Sequence, residues 1–334
     1  MDVATSRPIE VVCLGETMGQ IVPAGGASVR TAKTFKMHHA GAESNVAVGL
    51  SRLGHTVAWV SRLGNDAIGL RIADALEREG VRVLLEAEET SGRTGLFVKD
   101  PENGVSYYRA DSAASRMDRQ DVSRALEATP RVLHLSGITA ALSPSCDDAI
   151  AYALATAKKR GIVTSFDVNY RAALWPSAAI AADRLLELAR ASDVVFVGLD
   201  EANTLWETEN EHAVRELLPS VPRLVVKDGS RGAIEFVGEQ FTEVSALVVN
   251  VVEVVGAGDA FAAGYLSAFL QGATSVSALR AGHLMARNAL GSRSDFGRKI
   301  DRSMLTVLAN DPALWPATDE SSEGRTSHSR GAAS

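Results

Sequence analysis

The stretch that decides the fold is VGAGDAFAAG, residues 255–264. Gly256, Ala257 and Gly258 form a turn with almost no side chain, so their backbone N–H groups can close on an anion. Apolar residues then recur at helical spacing up to Leu270, and Gly272 is a candidate helix stop. The turn should therefore lie at the N-terminus of a helix, where unpaired N–H groups and the helix dipole favour phosphate.

Asp259 does not suit a site that only binds phosphate, because its carboxylate repels that anion. A base beside a phosphate-binding helix start can instead deprotonate a hydroxyl that attacks a phosphoryl group. A dinucleotide fingerprint would need a third glycine where Phe261 stands, and a Walker A loop would need a lysine that does not follow here. The stretch predicts a kinase site. The alternative is an ordinary glycine-rich turn in which Asp259 only caps the helix.

Composition and charge exclude several classes of protein. The chain has 334 residues, 46% hydrophobic and 22% charged, with a net charge of −7. These values are typical of a globular protein, and the negative balance argues against a general nucleic-acid binder. Cys13 and Cys146 lack metal-ligand spacing and are expected to be buried free thiols. With no signal-peptide pattern and no transmembrane run, the sequence predicts a cytoplasmic protein that does not bind membranes.

Short Val/Ile/Leu-rich runs alternate with helical patterns along the chain. This alternation predicts an α/β fold with a mostly parallel central sheet and helices on both faces. Ligands of such sheets bind where the strands end. The candidate strands are 11–14, 56–62, 131–135, 163–167, 194–197 and 224–227, and the candidate helices are 43–53, 68–79, 146–160 and 179–191.

Two segments, 21–40 and 93–110, are strand-like but rich in loops. They predict a small β-sheet lid that excludes water during phosphoryl transfer, or two peripheral hairpins. An exposed lid is also a candidate contact for a homo-oligomer such as a dimer. The segment 317–334 is rich in Ser, Gly, Glu and Arg, so we expect a disordered tail.

Four motifs, taken in order, resemble the PfkB, or ribokinase-like, carbohydrate kinases. They are GAESNVA at 41–47, RLGND at 62–66, KDGSRG at 227–232 and GAGD at 256–259. The resemblance covers residues 9–315 and implies a ribokinase-like kinase domain. Within the family the chain is most similar to 2-keto-3-deoxygluconate (KDG) kinases, through SYYR at 106–109, HLSGI at 134–138 and DVNYRAALW at 167–175.

The resemblance implies that Asp259 is the catalytic base and that the amides of Gly256, Ala257 and Gly258 form the anion hole. Such preformed donors stabilise the charge that develops on the transferring phosphoryl group. The same resemblance implies an ATP site, with Mg²⁺ to neutralise the phosphates.

Sugar recognition is expected from Gly41 and Asn45, a loop that could alternatively be a capped turn. Tyr107, Tyr108 and Arg109 would reach in from the lid, and Arg171 from a strand end. Two arginines suit a sugar acid, because guanidinium groups bind carboxylates bidentately. Alternatively, both are surface or phosphate-contacting residues. The resemblance adds one more candidate substrate contact, Asp295, which could instead cap a loop.

The nucleotide is assigned to a second group of residues on the same resemblance. Glu201 occupies the acidic position of an Asn-x-x-Glu element that organises the metal through water, although it could be an exposed helix-start glutamate. Gly198 replaces the asparagine of that element, and Glu253 and Val254 replace the common Asp-Thr before the GAGD turn. The candidate cofactor-binding residues are Asn169, Arg171, Lys227, Gly229, Gly232, Gly256 and Gly258.

The sequence thus predicts an ATP-dependent kinase that phosphorylates the terminal hydroxyl of KDG, a small-molecule sugar acid. One alternative is a PfkB-family kinase of the fructokinase or ribokinase type. Another is a sugar-binding regulator that has lost catalysis.

Overall fold

The strands follow the short apolar runs of the sequence. The computed structural model describes residues 7–85, 92–292 and 297–315. The strands are β1 Val11–Leu14, β2 Met18–Pro23, β3 Phe35–Ala40, β4 Val57–Ser61, β5 Arg82–Leu85, β6 Leu96–Asp100, β7 Gly104–Tyr108, β8 Val132–Ser136, β9 Val163–Asp167, β10 Val194–Gly198, β11 Arg223–Asp228, β12 Gly232–Val237 and β13 Gln240–Ser245.

The helices fill most of the connections between strands. Many start at a side chain that accepts a first-turn N–H; Asp66, for example, accepts from Ile68 and Gly69. The helices are α1 Ala42–Arg52, α2 Ala67–Arg78, α3 Arg119–Glu127, α4 Gly137–Ala140, α5 Pro144–Arg160, α6 Ala178–Arg190, α7 Leu199–Trp206, α8 Glu211–Leu217, α9 Ala257–Leu270, α10 Ser275–Leu290 and α11 Arg302–Ala309.

A nine-stranded sheet forms the centre of the molecule, in the order β13-β12-β11-β10-β9-β8-β1-β4-β5. The strands from β11 to β5 pair in parallel, and all six predicted strands lie among them. The predicted mostly parallel sheet with helices on both faces is therefore confirmed. The antiparallel hairpin of β12 and β13 extends one edge and was not anticipated from the sequence.

Two apolar cores lie on opposite faces of this sheet. In β1, Val12 and Leu14 belong to one core, which also holds residues of α5 and α6. Val11 and Cys13 belong to the other, with residues of α1, α9 and α10. The alternation follows from the two-residue period of a strand. Cys13 and Cys146 are buried free thiols, as expected.

A second sheet of four strands has the order β3-β2-β6-β7. Two antiparallel pairs, β2 with β3 and β6 with β7, join through a parallel pairing of β2 with β6. Its strands lie largely within the two segments predicted as a lid, although β2 begins earlier, at Met18. We call it the small sheet.

Two of the sequence predictions concern residues that the structure does not describe. Asp295 and the predicted tail 317–334 lie outside the described residues. Within the described ranges, no helix is both long enough and apolar enough to cross a membrane.

Candidate active site

Helix α9 begins in the conformation that the glycine-rich turn predicts. Gly256 precedes the helix with a φ of 81°, a left-handed conformation that suits glycine. Among the described residues no side chain caps this helix start. The N–H of Ala257 makes a long hydrogen bond of 3.4 Å to the carbonyl oxygen of Val254, whereas the N–H groups of Gly258 and Asp259 have no acceptor among the described residues and are available to an anion. The alternative in which Asp259 only caps the helix is not supported.

Asp259 is hydrogen-bonded to Asn45 on α1, whose Nδ2 donates to Oδ2 at 2.7 Å. The contact depends on a close approach of α1 and α9 one turn further along. A Cβ atom on Gly49 would lie only 2.6 Å from the Cβ of Ala263. Since Gly49 follows Asn45 by four residues and Ala263 follows Asp259 by four, these pairs lie on matching helix faces. The small residues set the distance between amide and carboxylate.

The surroundings of Asp259 favour a base that can hold a proton near neutral pH. Burial raises the pKa of Asp259 to about 7, and the nearby charge of Asp167 also raises it. The Asn45 hydrogen bond and the positive charges of Lys227 and Arg171 act in the opposite direction. A general base works best when its pKa is close to the working pH.

Lys227 lies beside the start of α9. Its Nζ donates to Oδ2 of Asp167 at 2.9 Å. A Cβ atom on Gly258 would lie 3.5 Å from the same Nζ. Burial lowers the pKa of Lys227, but the charges of Asp167 and Glu201 outweigh it, so this pKa lies above its usual value. The ammonium therefore stays charged next to the turn.

Glu201 and Arg171, two residues that the sequence predicts to serve the nucleotide and its metal, lie close to each other. The backbone N–H of Gly198 donates to Oε2 of Glu201 at 2.9 Å, and a nitrogen of Arg171 lies 3.7 Å from Oε1. Burial raises the pKa of Glu201, and the charge of Asp167 raises it further. Within the described ranges, no three His, Cys, Asp or Glu side chains form a ready metal cluster.

The remaining predicted nucleotide residues lie at or just beyond the ends of strands. Asn169 has a φ of 41°, a left-handed backbone that asparagine tolerates, and its N–H donates to Asp167. Gly232 has a φ of 158°, and a Cβ there would lie 2.4 Å from the Val244 carbonyl oxygen. Gly229, also with positive φ, begins the turn between β11 and β12. Their roles in nucleotide binding stay predictions.

Gly41 is held against the loop that follows β1. A Cβ atom on Gly41 would lie 2.2 Å from the carbonyl oxygen of Glu16 and 2.8 Å from Oγ1 of Thr17. Only glycine fits there. That fit accounts for the small residue but does not test its predicted contact with a sugar.

The predicted sugar-binding residues of the small sheet differ in their surroundings. Tyr107 and Tyr108 are 51% and 64% exposed. Arg109 forms an ion pair with Oε2 of the buried Glu16, whose Oε1 also accepts the hydroxyl of Ser112 at 2.7 Å. The Arg109 Nε has no hydrogen-bond partner among the described residues. Arg109 is thus already neutralised, whereas both tyrosines are accessible.

Three buried carboxylates near the site, Glu16, Glu43 and Asp167, were given no role in the sequence analysis. Glu16 and Asp167 each lie at the end of a buried parallel strand, a position that could have identified them. Glu43 lies inside the GAESNVA motif. Its Oε1 accepts the hydroxyls of Ser136 at 2.7 Å and Thr139 at 2.6 Å, so it ties α1 to β8 and α4.

Comparison with known proteins places this arrangement in a family. The profile of the pfkB family carbohydrate kinases matches residues 8–295. A 2-dehydro-3-deoxygluconokinase of Bacillus subtilis is 34% identical over 85% of this chain and 89% of its own. A probable chloroplastic fructokinase-6 of Arabidopsis thaliana is 32% identical over 80% of this chain and 71% of its own.

A solved structure of a PfkB protein is also similar to this chain in both fold and sequence. The crystal structure of a PfkB protein from Polaromonas sp. JS666 has a TM-score of 0.78 and 31% identity, and the match covers 86% of this chain and 97% of that one. The resemblance seen in the motifs and the expected ribokinase-like fold are both confirmed. With Asp259 at an uncapped helix start and this similarity along most of its length, the chain belongs to the pfkB family of carbohydrate kinases.

Proposed function

We propose that the protein transfers the γ-phosphoryl group of ATP to the terminal hydroxyl of KDG, giving the 6-phosphate. The observation that carries this proposal is the Asp259 carboxylate, held by Asn45 at the start of α9 with its pKa raised to about 7 by burial. The start of α9 thus brings together a base and backbone N–H groups that can bind an anion. Phosphoryl transfer to an alcohol needs both.

In the proposed reaction the terminal hydroxyl oxygen attacks the γ-phosphorus. A bond forms between that oxygen and phosphorus, while the bond from phosphorus to the bridging oxygen of ADP breaks. Asp259 accepts the hydroxyl proton. The amides of Gly256, Ala257 and Gly258 stabilise the negative charge on the phosphoryl oxygens, which is greater in the transition state than in the bound substrate.

The residues present fit a divalent cation that arrives with the nucleotide. Mg²⁺ prefers oxygen ligands and usually retains water while it binds phosphates. Glu201 offers a carboxylate on the nucleotide side, and its raised pKa reflects burial beside the negative charge of Asp167. In this proposal Glu201 holds the cation through water, and the bound ion neutralises the phosphates.

The sugar acid is favoured by the similarity to the Bacillus enzyme and by Arg171. The Arg171 side chain is 51% exposed, so its guanidinium can reach a ligand. A neutral hexose is the second candidate, because Glu16 already neutralises Arg109 and because a fructokinase is almost as similar. With a neutral sugar, Tyr107 and Tyr108 would supply polar contacts instead.

A substrate panel tests the proposal. The purified chain is assayed with Mg-ATP and, in turn, KDG, its galactonate-type epimer, fructose and ribose, and ADP release is measured. We expect the highest kcat/KM with a keto-deoxy acid. Higher kcat/KM with fructose or ribose would favour the neutral-sugar alternative, and no turnover with any of the four would favour a regulator.

A further inference from the structure

The Lys227 side chain crosses the end of the large sheet. Lys227 is on β11 and its partner Asp167 is on β9, with β10 between them. Only 19% of the lysine side chain and 5% of the aspartate side chain are exposed. Both charges are therefore largely removed from water, and loss of either partner would leave the other charge buried and uncompensated.

Gly198 lies beside this crossing. It is the register partner of Lys227 on the neighbouring parallel strand. A Cβ atom on Gly198 would lie 2.5 Å from Oδ1 of Asp200 and 3.3 Å from Oε2 of Glu201, so the acidic start of α7 occupies the space that a larger residue would need. The glycine found where the family element usually has asparagine therefore goes together with carboxylates packed against this strand end.

The crossing brings the ammonium to the anion hole. The Nζ lies 3.5 Å from the position of a Cβ on Gly258, whose N–H is one of the predicted anion-hole donors. The sequence had assigned Lys227 to a general nucleotide-contacting loop. Its side chain instead points to the place where the γ-phosphoryl group is expected.

We propose that Lys227 contacts the transferring phosphoryl group as a cationic partner of the 256–258 amides, and that Asp167 is its positioning residue. This inference rests on the proposed kinase function. Charge spreads over the phosphoryl oxygens during transfer, and a fixed cation in a partly dry site stabilises it strongly. The full positive charge of the lysine thus stabilises the negative phosphoryl oxygens more strongly than the partial charges of the backbone N–H groups do alone.

The pH dependence of the reaction offers a readout that disturbed packing would not reproduce. Asp259 faces Asn45 on α1, Asp167 at the end of β9, Lys227 on β11 and Arg171 after β9, and Lys227 in turn faces Glu201. Asp167 favours the protonated form of Asp259, and Lys227 favours the ionised form. Removal of one or the other charge should therefore shift the titration of the base in opposite directions.

The first experiment measures kcat and the pH profile of kcat/KM for Lys227→Gln and Asp167→Asn. Glutamine at 227 removes the charge and leaves a polar side chain that is one atom shorter than lysine. We expect kcat to fall about 10²-fold in Lys227→Gln, with its acid limb shifted to higher pH. The acid limb of Asp167→Asn should shift to lower pH. Shifts in the same direction, or an unchanged kcat in Lys227→Gln, would overturn the inference.

The second experiment uses binding and does not depend on turnover. ADP and a non-hydrolysable β,γ-methylene ATP analogue are titrated calorimetrically against wild type, Lys227→Gln and Lys227→Arg. We expect Lys227→Gln to bind ADP normally and the triphosphate analogue about tenfold or more weakly, while Lys227→Arg keeps most of that affinity. Equal losses for both nucleotides would place the lysine elsewhere.

The control and the wild type separate the two proposals. Arg119, half exposed and paired with Asp148 on the surface, provides Arg119→Gln as a matched removal of one cation from an ion pair. It should change neither affinity. If wild type phosphorylates no sugar, the proposed function fails. If wild type is active but Lys227→Gln behaves like Arg119→Gln, only the role of Lys227 fails.

Discussion

Polar side chains at the end of the large sheet are hydrogen-bonded to one another, whereas the two tyrosines of β7 in the small sheet are exposed to solvent. Asn45 holds Asp259 and Asp167 holds Lys227, each pair at or below 2.9 Å. On the small sheet, Tyr107 and Tyr108 are more than half exposed. For the proposed function, this difference means that the catalytic groups are organised before substrate arrives, and we expect sugar selection to depend on how the small sheet contacts the sugar.

The largest effect should come from the large-sheet side. Asp259→Asn keeps the shape of the side chain but cannot accept the proton. We expect kcat to fall about 10²- to 10⁴-fold, with the fold retained by circular dichroism. Asp148→Asn, a carboxylate removed from the surface of α5, is the control. Near-normal turnover in folded Asp259→Asn would remove Asp259 as the base.

Sugar recognition should be separable from this chemistry. If Arg171 binds the carboxylate of a sugar acid, Arg171→Ala should raise the KM for KDG about tenfold or more and the KM for ATP far less. Steady-state kinetics with each substrate varied in turn would show it. Equal increases in both KM values would assign Arg171 to the phosphates instead.

The pKa of Asp259 predicts a pH dependence of activity that comes from the large-sheet side alone. Because the base must be ionised, kcat/KM should decrease about tenfold per pH unit below pH 7. A profile that stays flat down to pH 5 would contradict a base with this pKa.

The raised pKa of Asp259 makes the stability of the fold depend on pH in the direction opposite to that of activity. The pKa is raised from 3.8 to about 7 on folding, so between these values the native state binds more protons and stability falls as pH rises. Asp259→Asn should therefore unfold at a higher temperature than wild type at pH 8, and this advantage should shrink towards pH 4. Thermal unfolding at both pH values measures it.

The helix contact under the base can be broken sterically. In Gly49→Ala the added methyl would lie 2.6 Å from the Cβ of Ala263, so α1 and α9 must separate. We expect a loss of about 1–3 kcal/mol in the free energy of unfolding, together with reduced kcat as Asn45 moves from Asp259. Gly291→Ala is a matched control, because its Cβ would meet only ordinary contacts at 3.5 Å and beyond.

The smallest effect is expected at a contact between the two regions. Lys99 on β6 of the small sheet forms an ion pair with Glu253, whose Oε1 also accepts the N–H groups of Val254 and Val255 before the GAGD turn. Both side chains are partly exposed, so Lys99→Glu should reduce kcat/KM only a few-fold. Because lysine at 253 cannot accept the N–H groups of Val254 and Val255, the charge-swapped double variant Lys99→Glu/Glu253→Lys should recover only the part of the loss that comes from the ion pair. A loss as large as that of Asp259→Asn would mean that the two regions are not separable.

Local sequence signals predicted the repeating parts of the fold and the ends of its elements. The six apolar runs became strands, and the Gly256 turn and Gly272 bracket α9 as expected. The pairing of Lys227 with Asp167 could not be predicted, because it depends on the strand order, which places β10 between β11 and β9. The engagement of Arg109 by Glu16 likewise depends on how the small sheet meets the loop after β1.

The hydrogen bond between Asn45 and Asp259 joins residues 214 positions apart. At a synthesis rate of about 5–20 residues per second, roughly 10 to 40 seconds separate their emergence from the ribosome. Until α9 has been made, the face of α1 that packs against it must be covered by something else or stay exposed to water. A nascent chain therefore carries the predicted sugar-binding loop at Gly41 and Asn45 early, but it gains the predicted anion hole and Asp259 late. We expect products truncated before α9 to have no kinase activity.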